Sequence, residues 1–292
     1  MSQTVDADLL RTMPLPSLGP RGDKDTRGRV LVVAGGAEVP GAALLTGEAA
    51  LRVGAGKLQF AATERFALAL AMAMPEARVL TVAGEGDFSP EAAEALTEAA
   101  RRCDAVLIGP GMIDDAAAGA LTARIMEGAP DSAYLLDAAA MTALRQDGRA
   151  ARAAGRLVLT PHPGEMAALS GARLEDVLAD PAAAARAAAA RFQAVVALKS
   201  RDTWIVTPDG RAWIHRGGAV GLGTGGSGDV LAGAIGGLMA RGAAPVEAAL
   251  WGVWLHGQAG ERLGERIGPM GFLAREILGE LPRVLAETGP PP

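Results

Sequence analysis

At 292 residues, half of them hydrophobic, the chain is long enough for one large domain with a substantial core, and two separate domains are the less expected arrangement. A formal net charge of −5 gives no electrostatic case for a nucleic-acid partner, whose binding rests on clustered Lys and Arg. The single cysteine, Cys103, excludes an intrachain disulfide and any multi-cysteine metal site, while the acidic N-terminus without an apolar h-region and the lack of a bilayer-length apolar run point to a cytoplasmic protein without membrane contact.

In chain order, residues 1–28 are polar and carry Pro14, Pro16 and Pro20, which reads as an irregular N-terminal arm. A Val-rich strand at 29–34 runs into Gly35-Gly36, and the spacing predicts a helix at 42–53, a strand at 57–62, a helix at 63–74 and a strand at 78–82. The rhythm continues with helix 90–101, strand 105–108, helix 114–126 and strand 133–136. Repeated units of this kind make an α/β fold with a largely parallel central sheet and helices on both faces. Right-handed crossovers bring the strand C-terminal ends to one edge, where ligands bind. Four strand-following loops therefore stand out: 35–41, Gly109-Pro110-Gly111, Asp137-Ala138-Ala139 and Thr160 to Glu165. Each is also compatible with ordinary turn chemistry.

Beyond them, the second half of 174–192 reads as an amphipathic helix and 194–198 as a strand. Residues 203–207 and 211–215 read as a hairpin through Pro208-Asp209-Gly210, near the sheet edge. Helices starting at Val230, Val246 and Leu273 complete a single domain over 29–286, and 287–292 reads as a flexible tail.

The most informative stretch is 221–229, which holds five glycines, ends in Asp229 and runs directly into an apolar helix with glycines at 233, 236 and 237. Such a loop presents free amides and the positive end of a helix dipole to a phosphate. A flexible linker would not lead into a helix whose glycines suit close packing. Two overlapping G-x-G-x-x-G matches lie in it, but they fall late in the chain rather than in a first βαβ unit. A Walker motif fails because Gly56-Lys57 is followed by Leu58. Asp229 is either a favourable charge in the first helical turn or a working carboxylate.

Taken together, Gly41-Ala42-Ala43, the run 47–56, Ile108-Gly109-Pro110-Gly111, Leu136-Asp137-Ala138, Thr160-Pro161-His162-Pro163-Gly164-Glu165, Lys199 with Thr203, Gly225 to Asp229 and His256-Gly257 resemble one family. It is the ADP- or ATP-dependent NAD(P)H-hydrate dehydratases, with a ribokinase-like fold, and the likeness runs from about Lys24 to Val284. The resemblance implies repair of hydrated NADH or NADPH: a nucleotide phosphorylates the ring hydroxyl and phosphate then leaves. It implies Asp229 as the catalytic base, and a nucleotide site at Lys199, Ser200, Arg201, Asp202, Thr203, Gly225, Gly226, Ser227 and Gly228. The hydrated dinucleotide falls to Ala42, Gly111, His162 and Asp229. Mg²⁺ is expected to accompany the ADP or ATP, held by phosphates and water rather than by protein ligands. A homo-oligomer, with a tetramer as one option, is also implied.

The chain departs from the family pattern at three places. Asp23 and Asp25 flank Lys24 where many members have His and Gly, Ser200 replaces a Gly, and Ala219 replaces an Asn ten residues before the Asp. Altered nucleotide affinity with intact chemistry is the expectation. A zinc site at His162 with Glu165 lacks further ligands. His215 receives no role, and His256 reads as a satisfied core histidine. Two other functions stay open at this point: a ribokinase-like kinase of a small alcohol, which would share the glycine loop, and a non-catalytic nucleotide sensor, which would have no use for a base.

Overall fold

The computed structural model describes residues 2–17, 23–84, 86–145 and 153–289. Seven strands lie side by side and parallel: β2 (Arg29–Val33), β3 (Lys57–Thr63), β4 (Ala77–Val82), β5 (Ala105–Ile108), β6 (Ala133–Leu136), β7 (Leu157–Leu159) and β8 (Val195–Leu198). The hairpin of β9 (Asp202–Val206) and β10 (Ala212–Arg216) adds an antiparallel turn-back, and β1 (Gln3–Thr4) pairs parallel with β10. The order across the sheet is β1-β10-β9-β8-β7-β6-β5-β2-β3-β4. Apart from Arg29 and Tyr134, the inner strands β2 and β5 to β8 are short runs of Val, Leu, Ile and Ala, as burial on both faces requires.

Two helical layers cover the sheet. One face carries α2 (Gly41–Arg52), α3 (Glu64–Ala73), α9 (Ser227–Ala240), α10 (Pro245–Arg266) and α11 (Ala274–Thr288), around Phe60, Leu238, Leu250 and Trp251. The other carries α4 (Ala93–Ala100), α5 (Asp115–Gly128), α6 (Pro163–Ser170), α7 (Leu174–Ala179) and α8 (Pro181–Phe192), around Leu96, Leu121, Tyr134 and Phe192. The glycines of α9 let it lie close to α2: a Cβ on Gly233 would stand 2.2 Å from the Thr46 carbonyl oxygen. That contact fixes the position of the loop that opens α9.

Strand order reverses between β2 and β5, the point at whose C-terminal edge open α/β sheets bind ligands, and the loops after them are joined by the Gly35 N–H donating to the Pro110 carbonyl at 2.7 Å. Gly109, at φ +123, lets the backbone pass the Asp137 carbonyl, which a Cβ would meet at 1.9 Å. Most strand ends agree with the sequence expectation to within a residue or two, because apolar runs there are bounded by Gly, Pro or Asp.

The ends of the chain differ from expectation. The arm at 1–28 is not irregular throughout, since it holds β1 and a short helix, α1 (Ala7–Thr12). Asp6 caps α1 by accepting from the Leu9 N–H at 2.8 Å, and Leu9 and Leu10 are buried. At the other end α11 continues through Thr288, whose hydroxyl accepts from the Trp254 indole at 3.0 Å, so the tail does not begin at 287; residues 290–292 lie outside those described. The segment 174–192 is two helices, broken where Asp180 caps α8 and Pro181 takes its first position. Of the loops read from the sequence, Asp137-Ala138-Ala139 leads at once into a 3-10 segment (Ala138–Arg145), and Thr160 to Glu165 gives way to α6 at Pro163.

Candidate functional site

At the C-terminal edge the glycine loop becomes the N-terminus of α9. Gly226 occupies its N-cap at φ +88, a left-handed conformation open to glycine at little cost, and no side chain caps the helix. The first amides of a helix have no intrahelical acceptor, so Gly228 and Asp229 present N–H groups at the positive end of the dipole. Asp229, in the first turn, is half-buried. Its carboxyl is pushed up to about 6, first by burial and then by Asp137, with Lys199 opposing. Burial and the neighbouring Asp137 thus outweigh the pull of Lys199.

Lys199, just past β8, is the centre of the charges here. Its Nζ lies 2.8 Å from Asp137 Oδ1 and 3.9 Å from Glu165 Oε2, and it would be 3.4 Å from a Cβ at Gly228. Burial acts to lower its pKa, but Asp137, Glu165 and Asp229 together raise it above the usual Lys value, so it stays charged. Asp137 is 4% exposed and also accepts from the Thr160 hydroxyl at 2.7 Å. Burial raises Glu165, against the pull of Lys199. Next to this cluster Ala138 sits at φ +46, a strained position for a residue with a Cβ and one that recurs at functional loops.

His162 caps α6. Its Nδ1 accepts from the N–H groups of Gly164 and Glu165 at 3.0 and 3.3 Å, and Glu165 Oε2 accepts from the His162 N–H at 2.7 Å. The reciprocal arrangement holds the loop in shape and leaves the half-exposed ring, with its proton on Nε2, at the mouth of the site. His162 lies between two cavities, one of about 320 Å³ bordered by Ala138, Arg145 and Glu165, the other of about 980 Å³ running along the glycine loop.

Of the nucleotide-site residues read from the sequence, Lys199, Ser200, Arg201, Thr203, Ser227 and Gly228 line the larger cavity. Asp202, Gly225 and Gly226 do not; Asp202 instead faces Arg216 at 3.8 Å, and Gly226 packs on Leu45. Ala42 and Gly111 pack together where the loops after β2 and β5 meet: a Cβ on Gly111 would be 2.5 Å from that of Ala42, and Ala42 is buried. Neither lines the two cavities that His162 borders.

Several residues escaped the sequence reading. Asp137 and Glu165 were visible as loop residues but not as partners of Lys199. His256 is satisfied, as expected, yet also borders the larger cavity: its Nε2 lies 2.9 Å from Ser227 Oγ and 3.0 Å from the Ser227 carbonyl. The carbonyl can only accept, which places the proton on Nε2, and burial pushes the ring down to about 4, so it is neutral. His215, opposite Thr203 in the hairpin, is buried on the same cavity wall, edge-on to Trp254, and within hydrogen-bonding distance and geometry its ring nitrogens meet no partner among the described residues. Among the described residues no helix is long and apolar enough to cross a membrane.

The sequence pattern of the NAD(P)H-hydrate dehydratases matches residues 30–283. An ADP-dependent (S)-NAD(P)H-hydrate dehydratase from Xanthomonas campestris is 49% identical over 97% of this chain and 96% of its own length. An ADP/ATP-dependent NAD(P)H-hydrate dehydratase from Bacillus subtilis, crystallised with ATP and Mg²⁺, superposes with a TM-score of 0.82 at 28% identity, covering 98% of this chain and 99% of that one. A ribokinase-like superfamily protein from Enterococcus faecalis superposes with a TM-score of 0.83 at 26% identity, over 99% and 97% of the two chains. The fold is ribokinase-like, and the chain belongs to the NAD(P)H-hydrate dehydratase family.

Proposed function

We propose that the protein dehydrates hydrated NADH and NADPH in an ADP-dependent reaction, in which the ring hydroxyl is phosphorylated and phosphate is then eliminated. The observation that carries this is the placing of the half-buried Asp229 carboxylate on the first turn of a bare helix N-terminus, within the field of Lys199. Asp229 takes the proton of the ring hydroxyl as its oxygen bonds to the terminal phosphorus of the nucleotide, and AMP leaves when the nucleotide is ADP. A carboxylate with its pKa raised to about 6 is mostly ionised at neutral pH yet basic enough to accept that proton. The amides of Gly228 and Asp229, with the Lys199 ammonium, face the charge spread over the moving phosphoryl oxygens. Phosphate then departs with the carbon–oxygen bond, a proton leaves the neighbouring ring carbon, and the ring double bond returns.

The larger cavity, with Thr203 and Ser200 on its wall, suits the nucleotide, and the neighbouring cavity bordered by His162 and by Met112, next to Gly111, suits the dinucleotide. Asp137, Glu165 and Asp229 offer carboxylate oxygens of the kind Mg²⁺ takes, and among the described residues no cluster of three or more His, Cys, Asp or Glu is arranged as a metal cage. These residues fit an ion that arrives with the nucleotide and contacts them chiefly through water; bound there, it would neutralise charge on the phosphates. Turnover should therefore stop in excess EDTA. The deciding experiment incubates the protein with hydrated NADH and either ADP or ATP. Recovery of the reduced-nicotinamide absorbance with either nucleotide supports the reading, and failure with both overturns it.

A further inference from the structure

The opposite edge of the sheet, where β2, β3 and β4 begin, holds another cavity, of about 350 Å³. Arg29, Lys57, Gln59 and Arg78 line it. In the register of the sheet Arg29 stands opposite Lys57 and Gln59 opposite Arg78. Side chains alternate along strands, so these four leave the same face as one patch. Lys24 joins them from the turn at 23–28. Asp23 braces that turn by accepting from the N–H groups of Asp25 and Thr26, both at 2.8 Å. Gly56 supports it from beneath, since a Cβ there would stand 2.0 Å from the Lys24 carbonyl oxygen.

The charges of this wall are poorly matched within the protein. Lys57 pairs with Asp25, and Glu76 contributes one acid, but Lys24 and Arg78 form no ion pair among the described residues. Gln59 is an independent sign. It is 8% exposed, borders the cavity, and its amide makes no hydrogen bond among the described residues. Its two N–H donors are therefore open to the cavity and suit an acceptor placed among the cations.

We propose that this cavity binds a phosphoryl or pyrophosphoryl group, at a site separate from the reaction centre and independent of the function proposed above. Several cations with a neutral N–H donor between them are suited to a multiply charged tetrahedral anion, and Arg presents its donors in a fork that matches phosphate oxygens. A single carboxylate would leave most of the wall's charge unmatched. In a chain of net charge −5 the patch is also a local reversal of sign.

The test is calorimetric titration of inorganic pyrophosphate into the wild type, a Lys24→Gln/Arg78→Gln variant and a Gln59→Leu variant. The wild type should show a binding event that weakens with added salt. Loss of two phosphate-facing cations should weaken that event at least about tenfold, as charge-assisted hydrogen bonds disappear. Gln59→Leu keeps the shape and every charge, and should weaken it roughly threefold or more by removing the amide donors. Parallel titration with ADP separates two sources of the group. If an ADP binding event is lost in the double variant, the occupant is the diphosphate of a nucleotide. An ADP isotherm unchanged beside a lost pyrophosphate event makes it a free inorganic anion. Identical pyrophosphate isotherms for wild type and double variant would overturn the site, as would indifference to Gln59→Leu, which would reduce it to diffuse surface charge.

Discussion

The two edges of the sheet handle charge in opposite ways. At the C-terminal edge Lys199 is enclosed by three carboxylate groups: burial raises the pKa values of Asp229 and Glu165, while the carboxylates, against burial, raise that of Lys199. At the N-terminal edge the cations of Lys24, Arg29, Lys57 and Arg78 are exposed or half-buried and draw much of their stabilisation from water. The lesson is that the same residue types become chemically special only where the fold removes solvent and forces them to depend on one another.

The sharpest way to break this comparison is at Asp229. Asp229→Asn keeps the shape but cannot take a proton, so turnover should fall by about 10²- to 10⁴-fold with nucleotide affinity nearly unchanged. In the wild type the rate should fall about tenfold per pH unit below the Asp229 pKa of about 6. A near-normal rate for the Asn variant would return Asp229 to a mere helix-end charge.

Next comes the cation. Lys199→Met leaves Asp137 and Glu165 enclosed without their partner, and breaking a buried pair costs about 3 kcal/mol. Chemical denaturation should show that loss, and Asp137→Asn introduced into the Met variant should recover part of it. Equal stability of wild type and Lys199→Met would mean that solvent reaches the cluster.

A smaller effect has the opposite sign. Because the folded state holds the Asp229 proton up to about pH 6 and the unfolded chain releases it near 3.8, stability falls as pH rises between those values and remains lowered at pH 7 to 8. Asp229→Asn removes the penalty, so the inactive variant should be more stable at pH 8 by about 1 kcal/mol, after allowance for partial exposure and the lost attraction to Lys199. Melting curves should converge near pH 4. At the other edge the change should be slightest: Lys57→Gln breaks an exposed pair with Asp25 and should alter stability by no more than about 0.5 kcal/mol.

Much of this layout was legible in the residues. Strands such as Ala105–Ile108 and Ala133–Leu136 were readable because unbroken apolar runs ended at Gly109 and Asp137. β1 was not, because Gln3 and Thr4 are polar and too few to show a period. The break between α7 and α8 carried a usable signal in Asp180-Pro181, a cap followed by a first-turn proline, which the alanine-rich context concealed. In the site, the glycine loop and Asp229 could be found because the motif is continuous. The Lys199–Asp137 pair could not, since 62 residues separate its members and their meeting depends on how neighbouring strands align.

β1 has a consequence for handling the protein. Gln3 and Thr4 pair with Trp213 and Ile214, and the Val5 N–H donates to the Ile214 carbonyl at 2.9 Å, so the outer side of β10 is closed by the start of the chain. Trimming those residues, or pulling them away with a bulky N-terminal fusion, would uncover a row of unpaired backbone groups beside Trp213. Such a preparation should self-associate through that rim as its concentration rises, even though no residue of the reaction centre has been touched.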